Sequence, residues 1–202
     1  SLSYRACLQA IATQECVRKL MNSDEVYLID YVNEYEARQK SWQFIFKGTI
    51  KEIAVTMVKR VLFRNEFYKK RAFNEFICNE KVIPFDSVDK CSVLISGSDQ
   101  IWNCYYRFDP FYFLDFVENK KCIAYASSIG TNSVAPQYSD KVRDLLVKFS
   151  SIGVREKTAI KVLSDLTGRN DIRQVLDPTF LLKVDCWKEF GNGAILDFDI
   201  PE

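Results

Sequence analysis

No histidine occurs anywhere in the 202 residues. That absence excludes a Ser-His-Asp triad, a Cys-His nucleophile pair and any imidazole metal site within the chain. Net charge is almost absent as well. The 28 Lys and Arg stand against 27 Asp and Glu, so no overall field draws the chain toward nucleic acid. Glycine and proline are few, at 7 and 5, which excludes a collagenous or low-complexity chain. No apolar run approaches the roughly 18 residues of a membrane span, and no signal-peptide pattern opens the sequence. Neither a G-x-x-x-x-G-K-[ST] loop nor a G-x-G-x-x-G fingerprint is found, so nucleotide binding through those loops is not expected. The seven cysteines are odd in number, and no two have C-x-x-C spacing. Several sit in apolar runs such as Cys122-Ile123-Ala124, so buried, reduced thiols in a cytoplasmic protein are expected rather than a disulfide framework or a zinc site.

What is present is an ordinary globular balance, 48% hydrophobic and 27% charged, in a length that suits one large domain. Leu8, Ile11, Ala12, Val17 and Leu20 share one helical face, so the chain is read as opening at or inside its first helix, with the strand before it missing. Residues 26–31 read as a short β-strand. Between residues 34 and 81 the pattern turns helical, with Phe46, Ile50, Ile53, Ala54, Met57, Val58, Val61 and Leu62 at spacings of three and four. From Lys40 to Arg71 there are nine Lys or Arg and only two Glu. Such a helix either rests on an anionic membrane surface or is a surface helical insertion packed by its apolar stripe.

After Pro84 strands and helices alternate. Strands are expected at residues 92–96, 122–126, 151–154 and 174–176, and helices at 140–149 and from 155 through 166. Val142, Leu145, Leu146 and Phe149 form the core face of the first of these helices, and Thr167-Gly168-Arg169-Asn170 stops the second. Strand, polar turn and helix in this rhythm predict an α/β fold with a parallel sheet flanked by helices. Residues 1–190 make one lobe, with the insertion at about 34–81, and residues 191–202 read as a linker or the start of a further lobe.

In such a sheet, ligands bind beyond the carboxyl ends of the strands. Four polar clusters fall there: residues 96–103, 127–130, 155–157 and 177–179. In the first, Gly97 permits a tight turn, Ser98 or Asp99 can cap the following turn, and Gln100 and Asn103 offer amides. Trp102 either gives a sugar ring a flat face to lie on or is a core tryptophan behind a capped helix. Arg155 either grips a carboxylate or phosphate, or pairs with a strand-end carboxylate such as Asp177. Glu156 holds that arginine, takes a proton from a hydroxyl, or serves the helix dipole as a first-turn acid. Asp177-Pro178-Thr179 reads as a structural turn.

Several of these segments together resemble one family. Ile95-Ser96-Gly97-Ser98-Asp99-Gln100-Ile101-Trp102-Asn103 is similar to the signature of the polysaccharide pyruvyl transferases. Similar too, in the same order, are Tyr112-Phe113-Leu114-Asp115-Phe116, residues 121–130, Gly153-Val154-Arg155-Glu156-Lys157 and Val175-Leu176-Asp177-Pro178-Thr179, while residues 3–10 resemble the family's first helix. The resemblance spans nearly the whole chain. It implies a Rossmann-like amino-terminal lobe of a GT-B-like, two-lobed enzyme that transfers pyruvate from phosphoenolpyruvate to two sugar hydroxyls as a ketal. Asp99 and Glu156 are the expected catalytic residues, and Gly97, Ser98, Gln100, Trp102, Asn103, Ser127, Ser128 and Arg155 the expected substrate-binding residues. Neither metal nor cofactor is expected; the partners are phosphoenolpyruvate and a glycan or lipid-linked sugar acceptor. The cytoplasm, or the inner face of its membrane, is the expected location. Arg5 stands where the family usually has glycine, and the first strand and second lobe are missing, so the chain alone is expected to be inactive. A non-catalytic carbohydrate-binding or scaffolding domain on the same fold is the alternative reading.

Overall fold

The computed structural model describes residues 4–31, 82–106 and 108–191. The proposed insertion at 34–81, with its apolar stripe, lies outside these residues, as does the linker or further lobe expected beyond 191. The chain divides into two compact units, one formed by residues 1–8 and 24–92 and the other by residues 9–23 and 93–202.

In the first unit, β1 (Leu28–Asp30) pairs in parallel with β2 (Val82–Pro84), Leu28 opposite Val82. Pro84 has no amide hydrogen to extend the ladder, and the chain turns at once into a 3-10 helix, Phe85–Lys90, whose Val88 is buried.

The second unit holds a four-stranded, all-parallel sheet in the order β3 (Val93–Ser96), β4 (Lys121–Ser127), β5 (Phe149–Val154) and β6 (Arg173–Gln174). Neighbours in sequence are neighbours in the sheet, as short βαβ connections favour. Helix α2 (Ser139–Val147) links β4 to β5, α3 (Lys157–Thr167) links β5 to β6, and α4 (Val184–Gly191) follows the sheet. Val142, Leu145 and Leu146 of α2 and Ala159 and Leu163 of α3 are buried at the spacing of one helical face. Gly168, with φ of 74°, closes α3 in the left-handed conformation that glycine adopts at low cost. Arg169 then donates to the carbonyls of Leu146 and Phe149, at 3.2 and 2.6 Å, and pairs with Asp171. One guanidinium thus satisfies carbonyls at the end of α2 and the start of β5.

Several details depart from the sequence expectations. Phe149 opens β5 instead of ending α2, because its ring is buried edge-on to Trp102 at 5.7 Å. The last strand is shorter than expected and Leu176 is exposed, although the Val175 amide still donates to Val154 O. Leu20 is 78% exposed, because Lys19 to Asn22 end helix α1 (Tyr4–Met21) in solvent on every side. On that helix the residues buried with Ile11 and Ala12 are Cys7, Gln9 and Gln14. Burial pushes the thiols of Cys7 and Cys104 up to about 11, which keeps both protonated and unreactive at neutral pH. Among the described residues no helix is long and apolar enough to cross a membrane.

Gly97 follows β3 at φ of 147°, and a Cβ there would lie 1.9 Å from the carbonyl oxygen of Tyr125. Gly97→Ala should therefore lower stability by about 3 kcal/mol or more, read as a fall in the urea midpoint. An unchanged midpoint would show that β3 and β4 do not approach so closely in solution.

Candidate functional site

The four strands are parallel, so the residues that follow them leave from one edge of the sheet. Backbone bonds fasten these exits together. Ser128 N donates to Asp99 O at 3.0 Å, Trp102 N to Ser128 O at 3.2 Å, and Arg155 N to Ser127 O at 3.3 Å. The register of β4 against β5 shifts between Ala124 and Ser127, and Ala126 has φ of 55°. This irregularity breaks the alternation of β4, so Ala126, Ser127 and Ser128 are all buried. Ser127 Oγ donates to Ser96 O, and Ser98 Oγ to Ala126 O, closing the gap between the ends of β3 and β4.

Arg155, largely buried, lies among three carboxylates. Its nitrogens are 3.4 Å from Asp177 Oδ2, 3.7 Å from Glu156 Oε1 and 3.8 Å from Asp99 Oδ1. Formally the group carries two more negative than positive charges. Glu156 precedes α3 in extended conformation and makes no capping bond. Its Oε1 accepts from Ser128 Oγ, which itself accepts from Gly130 N at 3.2 Å. Glu156 Oε2 is buried and has no hydrogen-bond partner. A buried carboxylate oxygen left without a donor is costly, so this atom marks a place in the rim where a partner is wanting.

Asp177 is the best-satisfied member. Its Oδ1 accepts from the amide and hydroxyl of Thr179, at 3.1 and 2.8 Å, and its Oδ2 accepts from Gln9 Nε2 at 2.5 Å. Burial pushes this carboxyl up, but the Thr179 amide and hydroxyl, the Gln9 amide and the Arg155 guanidinium outweigh burial and hold it below its ordinary value.

Asp99, Ser128, Arg155 and Glu156 therefore meet at one rim. Gln100 and Asn103 lie beside them over Gly130, where an added Cβ would come within 2.7 Å of Gln100 Cδ and 3.0 Å of Asn103 Nδ2. Gly97 is exposed, and Ser98 is occupied by its bond to Ala126 O and by the Asp99 amide. Trp102 does not present a face to a sugar. It is 1% exposed, stacked on Phe113 at 5.3 Å, and its indole nitrogen donates to Tyr112 O at 3.0 Å. Ser127 and Ser128 are fully buried, with hydroxyls bonded inside the protein. Arg155 follows the second of its two readings, pairing with Asp177. Sequence reasoning missed Gln9, which is 1% exposed with Oε1 unpartnered. Its one signal was a polar residue beside the apolar stripe of the first helix. Among the described residues no group of three or more His, Cys, Asp or Glu is arranged to hold a metal ion.

A family model described as polysaccharide pyruvyl transferase matches residues 10–201. No curated protein and no solved structure matches the chain.

Two outcomes test this geometry. Gln9→Ala leaves Asp177 short of a donor and should cost about 1–3 kcal/mol in urea unfolding. For Asp177, a lowered folded value means stability that is present above the ordinary carboxylate range and lost as pH falls through it. The stability gap between the wild type and Asp177→Asn should hold from neutral pH to about pH 4 and narrow below it. A gap that stays constant into acid would show that the carboxylate is not held by these donors.

Proposed function

The chain belongs to the polysaccharide pyruvyl transferase family, and on that premise we propose that it serves the transfer of pyruvate from phosphoenolpyruvate to two hydroxyls of a sugar, as a ketal, in the assembly of a cell-surface polysaccharide. The enol carbon C3 gains a proton and becomes a methyl group. C2 then forms bonds to two hydroxyl oxygens and loses its bond to the phosphate oxygen. Of the two hydroxyl protons, one balances the new methyl hydrogen and the other leaves with inorganic phosphate.

The observation that carries this reading is the free, buried Oε2 of Glu156 at an acidic rim. A rim of that sign repels a donor bearing phosphate and carboxylate, and suits neutral hydroxyls that become nucleophiles as they lose protons. Glu156 is the general base in this reading, oriented by Ser128. Asp99 supports the acceptor from the neighbouring loop. Arg155 holds the three carboxylates in place; it is not the group that grips phosphate. The cations that hold the donor, and the acid that protonates C3, we assign to a second Rossmann-like lobe facing this rim in a GT-B-like arrangement. The cytoplasm, where phosphoenolpyruvate is made, is the place we assign to the reaction, with a glycan or lipid-linked sugar as acceptor. Protonated, buried thiols suit that compartment.

The occupied state of Arg155 also favours one other reading, a carbohydrate-binding domain with no chemistry of its own. Phosphate release decides between them. The full-length gene product, given phosphoenolpyruvate and a panel of glycans, should release phosphate and pyruvylate one of them. No release across the panel rules the transferase out. Glu156→Gln should lower kcat by about a hundredfold to ten-thousandfold, with the KM for phosphoenolpyruvate little changed. Full activity in that variant would remove Glu156 as the base.

A further inference from the structure

With Trp102 in the core, the rim needs another surface if a sugar ring is to lie beside Glu156. The loops after β3 and β4 supply one. Tyr105 is 54% exposed, and its hydroxyl meets Ser133 Oγ at 2.9 Å. Ser133 is itself fixed, because Thr131 Oγ1 lies 2.8 Å from Ser133 O and 3.2 Å from Ile129 O. Next to Tyr105, the Tyr106 amide donates to Asn103 Oδ1 at 3.1 Å, and the Asn103 amide donates to Gln100 O at 3.2 Å. The Gln100 and Asn103 side chains lie against Gly130, where only a missing Cβ lets them approach. Gly130 in turn donates its amide to Ser128 Oγ, the hydroxyl bonded to Glu156. Contacts therefore run from the Glu156 carboxylate, through Ser128 and Gly130, to two side-chain amides and to the amide of Tyr106, beside the tethered ring of Tyr105.

We propose that Gln100, Asn103, Gly130, Tyr105 and Ser133 form the subsite for a neutral hexose ring of the acceptor, with Tyr105 as its aromatic face. The proposal rests on the transferase reading for the word acceptor, and on geometry for the rest. A hexose has an apolar C–H face and a girdle of hydroxyls. The exposed ring takes the first and the paired amides take the second, as donors and acceptors alike. The tether to Ser133 matters because a ring already held in place loses little freedom on binding. Tyr106, 90% exposed and anchored only through its backbone, lacks that advantage.

The test uses the full-length gene product with lactose and cellobiose as probes, followed by saturation-transfer NMR and calorimetry. Binding to the wild type is expected with saturation passing from aromatic protons. Tyr105→Ala should weaken it about fivefold to tenfold, and Tyr105→Phe, which keeps the ring and loses the tether, about twofold. Thermal midpoints should not move, because the side chain is largely in solvent. Failure of both disaccharides to bind the wild type, or equal binding to Tyr105→Ala, overturns the subsite. Phosphate release from phosphoenolpyruvate is measured in parallel. Saccharide binding through Tyr105 with no release sinks the transferase reading and leaves the subsite standing. Release with an acceptor KM untouched by Tyr105→Ala does the reverse.

Discussion

A buried guanidinium that touches carboxylates from three loops does more than balance charge. Arg155 reaches Asp99 after β3, Glu156 beside it and Asp177 after β6, so a single side chain fixes where the exits of separate strands stand. Taking such ions out of water is costly, and the cost is met only while every member keeps its partners. Asp177 keeps its place through Thr179 and Gln9, and Glu156 through Ser128. The backbone bonds among Asp99, Ser127, Ser128 and Arg155 hold the loops that carry these groups. Disturb the arginine, and three loops lose a common reference.

The strands and helices of the second unit were legible because their cause is local. Alternating burial in β3 and the three-and-four spacing of Val142, Leu145 and Leu146 are set by the geometry of each element alone. So was the meeting of four turns at one edge, which follows once the sheet is parallel. What depends on long-range packing was hidden. Nothing near Trp102 in the sequence says that Phe113 and Phe149 will close over its ring. Phe149 extends the periodicity of α2, yet the sheet claims it, and no pattern within ten residues can arbitrate that. The shift of register at Ala126, which turns Ser127 and Ser128 inward, has no mark in the side chains. Gln9 is the clearest case. A glutamine in a helix usually faces water, and only the distant Asp177 explains why this one is inside.

The sign of the site bears on the absent histidine. Without an imidazole in the chain, the ionisable groups that meet at this rim are three carboxylates and one arginine. The rim provides two kinds. Asp177 is held in its charged form by four donors, whereas Glu156 has one oxygen engaged and one free. Groups of the same chemistry thus stand in different surroundings, one satisfied as a fixed counter-charge and one, in the proposed reading, serving as the reagent.

Asp177 has a double employment. The oxygen that closes the turn at Thr179 and the oxygen that faces Arg155 belong to one side chain. Replacing it should injure folding whatever the site does. A descendant of this protein that had abandoned catalysis altogether would still be selected to retain the aspartate. Its survival in such a lineage would therefore record the demands of the scaffold and say nothing about surviving activity.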